Sequence, residues 1–116
     1  MLVGRRAVRV GDQILKEISS ILLEKVKDPR VRGVTFTGIK LSNDLKIARV
    51  FYSVFGQENQ IEKAHAGLES AKGFIKREIS LRMSLRYTPE IIFKYDTSLE
   101  SGSHMERLFD KLRSNE

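Results

Sequence analysis

Apolar residues return every three or four positions along the first part of the chain. Val10, Ile14, Ile18, Ile21, Leu22 and Val26 form one stripe, and Leu15 and Leu23 widen it. That is the period of an amphipathic helix, and it predicts one over residues 6–27. Asp28-Pro29-Arg30 ends it, because the residue before a proline is driven out of the α region. Past Gly33 the period drops to two. Val34 and Phe36 alternate with Thr35 and Thr37, and Gly38 shifts the phase so that Ile39 and Leu41 follow. This predicts a strand over residues 34–41 with a bulge at Gly38. Ser42-Asn43-Asp44 is turn chemistry. A second strand is predicted over residues 46–55, with Ala48, Val50, Tyr52 and Val54 on one face and Arg49, Phe51 and Ser53 on the other. So short a connection makes the two strands an antiparallel hairpin.

The helical period resumes near Asn59. Ile61, Ala64, Leu68 and Ala71 form one stripe, and Ile75, Ile79 and Met83 form another, with Phe74 and Leu85 alongside. Read as two stripes that slip in phase near Gly73, they predict two helices over residues 59–85 that meet at an Ala71-Lys72-Gly73 kink. A glycine inside a helix costs about 1 kcal/mol against alanine, which points to a bend or to a partner approaching the backbone. Thr88-Pro89 closes the helical region, and residues 90–95 read as a third strand with Ile91, Phe93 and Tyr95 on one face. A connection of about 35 residues that holds helices lets the second and third strands lie parallel. The expected fold class is α+β, in the order α-β-β-α-kink-α-β, with helices covering a three-stranded mixed sheet. Residues 1–96 form a single domain. Residues 97–116 form a tail, in which Met105, Leu108, Phe109 and Leu112 mark a short amphipathic helix.

Composition narrows the function classes. The chain has 116 residues, 41% of them hydrophobic, enough to bury a core. It has no cysteine, hence no disulfide framework and no thiolate chemistry. No apolar run approaches the ~20 residues that span a bilayer, and no secretory leader follows the basic N-terminus. A soluble cytoplasmic protein with no membrane partner is expected. The net charge of +6 is unevenly spread: the body up to Tyr95 carries +8 and the remainder −2. A basic body of this kind is the footprint of a polyanion binder.

Catalytic groups are scarce. The two histidines, His65 and His104, lie far apart, and no metal-ligand spacing, nucleophile elbow or phosphate-binding glycine loop is present. No enzyme activity, cofactor, metal or small-molecule substrate is expected. The cations carry the better signal. Arg5 and Arg9, Lys72 and Lys76, and Arg82 and Arg86 are each spaced by four, which puts each pair on one helix face. With Arg6, Gly73 and Arg77 they form two candidate basic ridges, one opening the first helix and one leaving the kink. Such ridges bind phosphates, and a helix start at the kink would add free N–H groups and the helix dipole. With few exposed aromatics, backbone and shape recognition is expected over reading of bases.

A helix-kink-helix placed after a hairpin and before a closing strand resembles the type II KH domain. The Gly-x-x-Gly loop of that fold is absent, and Ala71-Lys72-Gly73 stands in its place. That variant resembles the bacterial ribosome-binding factor A family. Lys27-Asp28-Pro29-Arg30, Ser42-Asn43-Asp44-Leu45 with Ala48-Arg49-Val50, and Ala71 through Ile79 match it in order. Leu85-Arg86-Tyr87-Thr88-Pro89-Glu90-Ile91, Phe93 and Asp96-Thr97-Ser98 complete the match. The resemblance covers about residues 5–112. It implies a non-catalytic assembly factor that binds the free 30S subunit and its 16S rRNA. It further implies help in late maturation, including processing of the 16S rRNA 5′ end, and importance in the cold. A monomer is expected. The alternative reading is a protein–protein interaction module without direct affinity for RNA.

Overall fold

The computed structural model of the protein describes residues 4–56 and 58–98. Helix α1 spans Arg5–Lys25, and a 3-10 turn at Pro29–Val31 follows it. Strands β1 (Val34–Leu41) and β2 (Ile47–Val54) come next, then helix α2 (Glu58–Met83) and strand β3 (Glu90–Tyr95). The sheet order is β1-β2-β3, with β1 antiparallel and β3 parallel to β2. The α+β class, the mixed three-stranded sheet and the helical cover match the expectation. The amphipathic helix expected at residues 105–112 lies outside the described residues.

Both helices pack on one face of the sheet. Ile14, Ile18, Ile21 and Leu22 of α1 meet Leu68, Ile75 and Ile79 of α2 over Leu41, Ala48, Val50, Tyr52, Ile91 and Phe93 of the sheet. The period-two burial of β2 states the geometry: Ala48, Val50 and Tyr52 are buried, while Arg49 is exposed on the other face. The bulge expected near Gly38 is present as a register shift between Phe36 and Gly38. The hairpin turn is held by Ser42 and Asp44. The Ser42 hydroxyl accepts from the Lys46 and Ile47 amides, and Asp44 accepts from the Ser42 hydroxyl and the Lys46 amide. Leu45 adopts a left-handed conformation there, φ 62°, a cost for a side chain with a Cβ that is offset by packing of Leu45 against the core.

The expected pair of helices is one element. α2 is a continuous α-helix of 26 residues, and a bend at Ala71–Gly73 would be a bend inside it rather than a junction. The physical reason is in the spacing. Ile61, Ala64, Leu68, Ala71, Ile75, Ile79 and Met83 follow steps of three, four, three, four, four and four, which an unbroken helix keeps on one face. Ala71 to Ile75 is itself a four-residue step, so no slip is needed. The helix ends at Met83, where Ser84 turns left-handed, φ 51°.

Candidate nucleic-acid interface

The predicted cations fall into three groups. Arg5, Arg6 and Arg9 lie exposed on the first two turns of α1. That first turn contains no acidic residue. The start of a helix is the positive end of its dipole, where cations are unfavourable by about 0.3–1 kcal/mol each. Arg5 and Arg6 stand against that field in the first turn and Arg9 adds its charge one turn on, so the three gather positive charge without serving the stability of α1. Their position is fixed from the hairpin: the Gly4 amide donates to Asn43 Oδ1 at 2.9 Å. The hairpin turn is tied in turn to the start of β3, just past the α2–β3 loop, since the Glu90 amide donates to the Lys46 carbonyl at 2.8 Å. One end of the molecule therefore collects Arg5, Arg6 and Arg9, the exposed Lys46, and Arg86 in the α2–β3 loop. Lys46 was not among the residues singled out from the sequence. Its chain neighbours mark only a turn, and what places it is the hairpin's contact with the start of α1 and the start of β3.

Lys72 and Lys76 form the second group, on the flank of α2 that faces β3. Lys72 pairs with Glu69 at 2.8 Å and lies over the Phe93 ring at 5.8 Å. Lys76 pairs with Glu90 at 2.5 Å across to the start of β3. That contact, foremost its hydrogen bond, holds the Glu90 carboxyl below its ordinary pKa. Both lysines thus have structural partners and offer less free charge than their spacing suggests. Gly73 and Arg77 are exposed on the outer side of the same helix. A Cβ built on Gly73 meets nothing within 4 Å, so glycine at 73 answers neither crowding nor backbone geometry inside the protein. Because α2 runs unbroken through this point, no helix start opens there, and the expected free N–H groups and dipole end are absent from it.

The third group separates. Arg82 turns inward to α1, donating to Glu17 at 3.2 Å and to the Ser20 hydroxyl at 3.3 Å. Arg86 lies beyond the helix end, its guanidinium 5.6 Å from the Tyr87 ring centre. The two do not share a helix face, because α2 stops between them. The ridge expected to leave the kink is therefore not one ridge.

Among the described residues no group of three or more His, Cys, Asp or Glu could hold a metal. His65 Nδ1 and the Tyr52 hydroxyl are 2.9 Å apart, and burial raises the phenol's pKa, with Glu69 and Tyr95 adding to it. No helix among the described residues is long and apolar enough to cross a membrane. An apolar groove of about 540 Å³ opens between the C-terminal half of α1 and the free edge of β1, lined by Leu22, Leu23, Val26, Val34 and Phe36 among others.

The family model for ribosome-binding factor A matches residues 6–109. The chain belongs to the ribosome-binding factor A family. The ribosome-binding factor A of Moorella thermoacetica is 47% identical over 118 residues, covering 100% of this chain and 97% of its own. That of Halothermothrix orenii is 45% identical over 112 residues, covering 97% and 92%. Among solved structures, a Thermotoga maritima protein, itself a candidate ribosome-binding factor A, has 30% identity and a TM-score of 0.72 over 84% of this chain and 93% of its own. A homology model of Thermus thermophilus ribosome-binding factor A, fitted into an electron cryo-microscopy map of a complex with the 30S subunit, shares the fold. Its TM-score is 0.66 at 21% identity, over 78% of this chain and 96% of its own.

Proposed function

We propose that this family member is a ribosome assembly factor that binds the free 30S subunit through 16S rRNA. Its role is to assist late maturation, including processing of the 16S rRNA 5′ end, and it matters most in the cold. It acts in the cytoplasm as a monomer and catalyses no reaction; residues 1–96 are the RNA-binding body and residues 97–116 a tail. The observation that carries the reading is the exposed Arg5, Arg6 and Arg9 at the positive end of α1, in a first turn without an acid. A surface that works against its own helix dipole is best satisfied by a polyanion. The Thermus thermophilus relative fitted into a 30S complex supports the choice of polyanion. Lys46, Arg77 and Arg86 extend the contact. Lys72 and Lys76 join it only by giving up Glu69 and Glu90.

Sedimentation of the tagged protein with cell extract through a sucrose gradient tests this. The protein is expected in the 30S fractions at low salt and free of them at high salt. Its absence from those fractions at low salt rejects the reading. Purified protein cutting precursor 16S rRNA unaided would overturn its non-catalytic part. The second reading, a protein-binding module, is favoured by the apolar groove beside β1, where Leu23 is 86% exposed. It requires ribosome association that survives Arg5→Glu with Arg6→Glu and is lost with Leu23→Asp.

A further inference from the structure

The face of the sheet turned away from the helices has a chemistry of its own. Lys40 lies directly across from Arg49 in the β1–β2 ladder. On the other side of β2, Ile92 is beside Arg49 and Lys94 is beside Phe51. Strand parity puts these residues on one surface, since their neighbours Leu41, Ala48, Val50, Ile91 and Phe93 are buried under the helices. Lys40, Arg49 and Lys94 are exposed, and none makes an ion pair among the described residues. The acids that might neutralise them are engaged elsewhere. Glu90 is taken by Lys76 of α2, and Asp96 accepts from the Thr37 hydroxyl and the Ser98 amide.

Like charges directly opposite each other weaken a ladder, so the Lys40–Arg49 pair does nothing for the sheet. Gly38 is the register partner of Phe51. A Cβ at Gly38 would meet nothing within 4 Å, and its φ is not in the left-handed region. Neither crowding nor backbone conformation calls for glycine there, and its lack of a side chain leaves Phe51 without a cross-strand side chain on β1. Phe51 is half-buried, and a half-exposed ring among cations that make no ion pair among the described residues suits a nucleic-acid strand, with phosphates on the cations and a base on the ring.

We propose that the sheet face turned away from α1 and α2 is a second RNA-binding surface, with Lys40, Arg49 and Lys94 contacting phosphates and Phe51 stacking on a base. It rests on the reading of this protein as an rRNA binder. It adds to that reading a contact on the face opposite the helices, so that one molecule holds two RNA segments at once.

The test is filter binding of full-length protein to transcribed 16S rRNA over a salt series. Lys40→Gln with Arg49→Gln and Lys94→Gln is expected to weaken binding at least ~10-fold and to make the log–log salt slope shallower by about 2, as loss of three phosphate contacts requires. Its melting temperature is expected to hold or rise, because a repulsive pair is removed; a purely structural role predicts a fall. Lys40→Gln and Lys94→Gln singly should each change the slope by about 0.7–0.9, which keeps the test decisive if the triple variant folds poorly. Phe51→Leu should weaken binding while leaving the slope unchanged. Wild-type binding with an unchanged slope in every cation variant overturns this inference alone. Cation variants that respond only after deletion of residues 99–116 also overturn it, because the face then belongs to the protein's own tail. Loss of 30S association with unchanged rRNA affinity overturns it in favour of a ribosomal protein. No binding of the wild type to 16S rRNA overturns the rRNA reading and this inference with it.

Discussion

Gly67 and Gly73 sit less than two turns apart on α2 and have opposite reasons to be glycine. A Cβ at Gly67 would come within 2.7 Å of Val31 Cγ1 and 3.1 Å of Arg30 Cβ. The 3-10 turn packs there, tied to its own Asp28 by the Arg30 guanidinium at 2.6 Å. Overpacking of about 1–3 kcal/mol outweighs the ~1 kcal/mol that alanine adds to a helix, so Gly67→Ala should lower the melting temperature. Gly73→Ala meets open space and should raise it, by about 4–8 °C for a stabilisation near 1 kcal/mol. Calorimetry on the two variants checks both signs. If Gly73→Ala also weakens 30S association, a partner approaches the α2 backbone at that point; unchanged association places the contact elsewhere. The carboxylates give a further expectation at this scale. Asp28, Asp44, Glu90 and Asp96 are held below their ordinary pKa, each foremost by a side-chain hydrogen bond, from Arg30, Ser42, Lys76 and Ser98 respectively. A carboxyl whose pKa is lower in the folded state stabilises fully above its unfolded value. That contribution is lost as pH falls through the lowered value. Melting temperature should therefore hold from pH 7 to about 5 and fall toward pH 3. The loss should be smaller in Glu90→Gln, and salt should reduce it, because these groups are solvent-exposed.

At the scale of the element, α1 places function against stability. Its apolar side, with Ile14, Ile18 and Ile21 essentially inaccessible, holds the core together. Ile18→Ala should cost about 2–5 kcal/mol, visible as a shift in the urea midpoint. Its first turn does the reverse. Arg5→Glu with Arg6→Glu puts acids at the positive end of the dipole and should raise thermal stability by about 0.3–1 kcal/mol per site. The same variant should lose affinity for 16S rRNA, with a shallower salt slope. A variant that is both less stable and fully able to bind would show that these arginines serve the fold. On α2 the sequence pattern was misleading for a definite reason. Glycine at 73 reads as a break because its local cost in a helix is real, but the steps from Ala71 to Ile75 and on to Ile79 keep one buried face. Burial of that face, with Leu68, Ile75 and Ile79 all at 0% exposure, outweighs a cost of about 1 kcal/mol.

At the scale of the molecule, the two helices of the described residues lie on one side of a three-stranded sheet and give the cations three different settings. Those at the α1 start and the neighbouring loops make no ion pair among the described residues. Those on the α2 flank are paired to Glu69 and Glu90, and those on the bare sheet face oppose one another. Binding to a large polyanion through the first and third sets predicts a steep salt dependence that neither set alone can supply. Combining Arg5→Gln and Arg6→Gln with Lys40→Gln and Arg49→Gln should change the salt slope by nearly the sum of the two separate changes, because the sets lie on separate surfaces.

The order of helices and strands, the hairpin, the bulge beside Gly38 and the apolar faces were all written in local periodicity, because burial on one side leaves a period of two or of 3.6 in the chain itself. The family was legible for a similar reason: several short motifs occur in one order. The fate of each cation was not. Spacing by four placed Arg82 and Arg86 together, yet a left-handed Ser84 ends the helix between them. Spacing made Lys72 and Lys76 look free, yet their acids come from the preceding turn of α2 and from β3. Lys46 carried no local signal, because what singles it out is contact between segments far apart in sequence; the Lys40–Arg49 pair lies within one hairpin, but its pairing depends on the register that follows the bulge at Gly38. Charge is a property of the residue, but whether it is available to a partner depends on which neighbour the packed structure brings within reach.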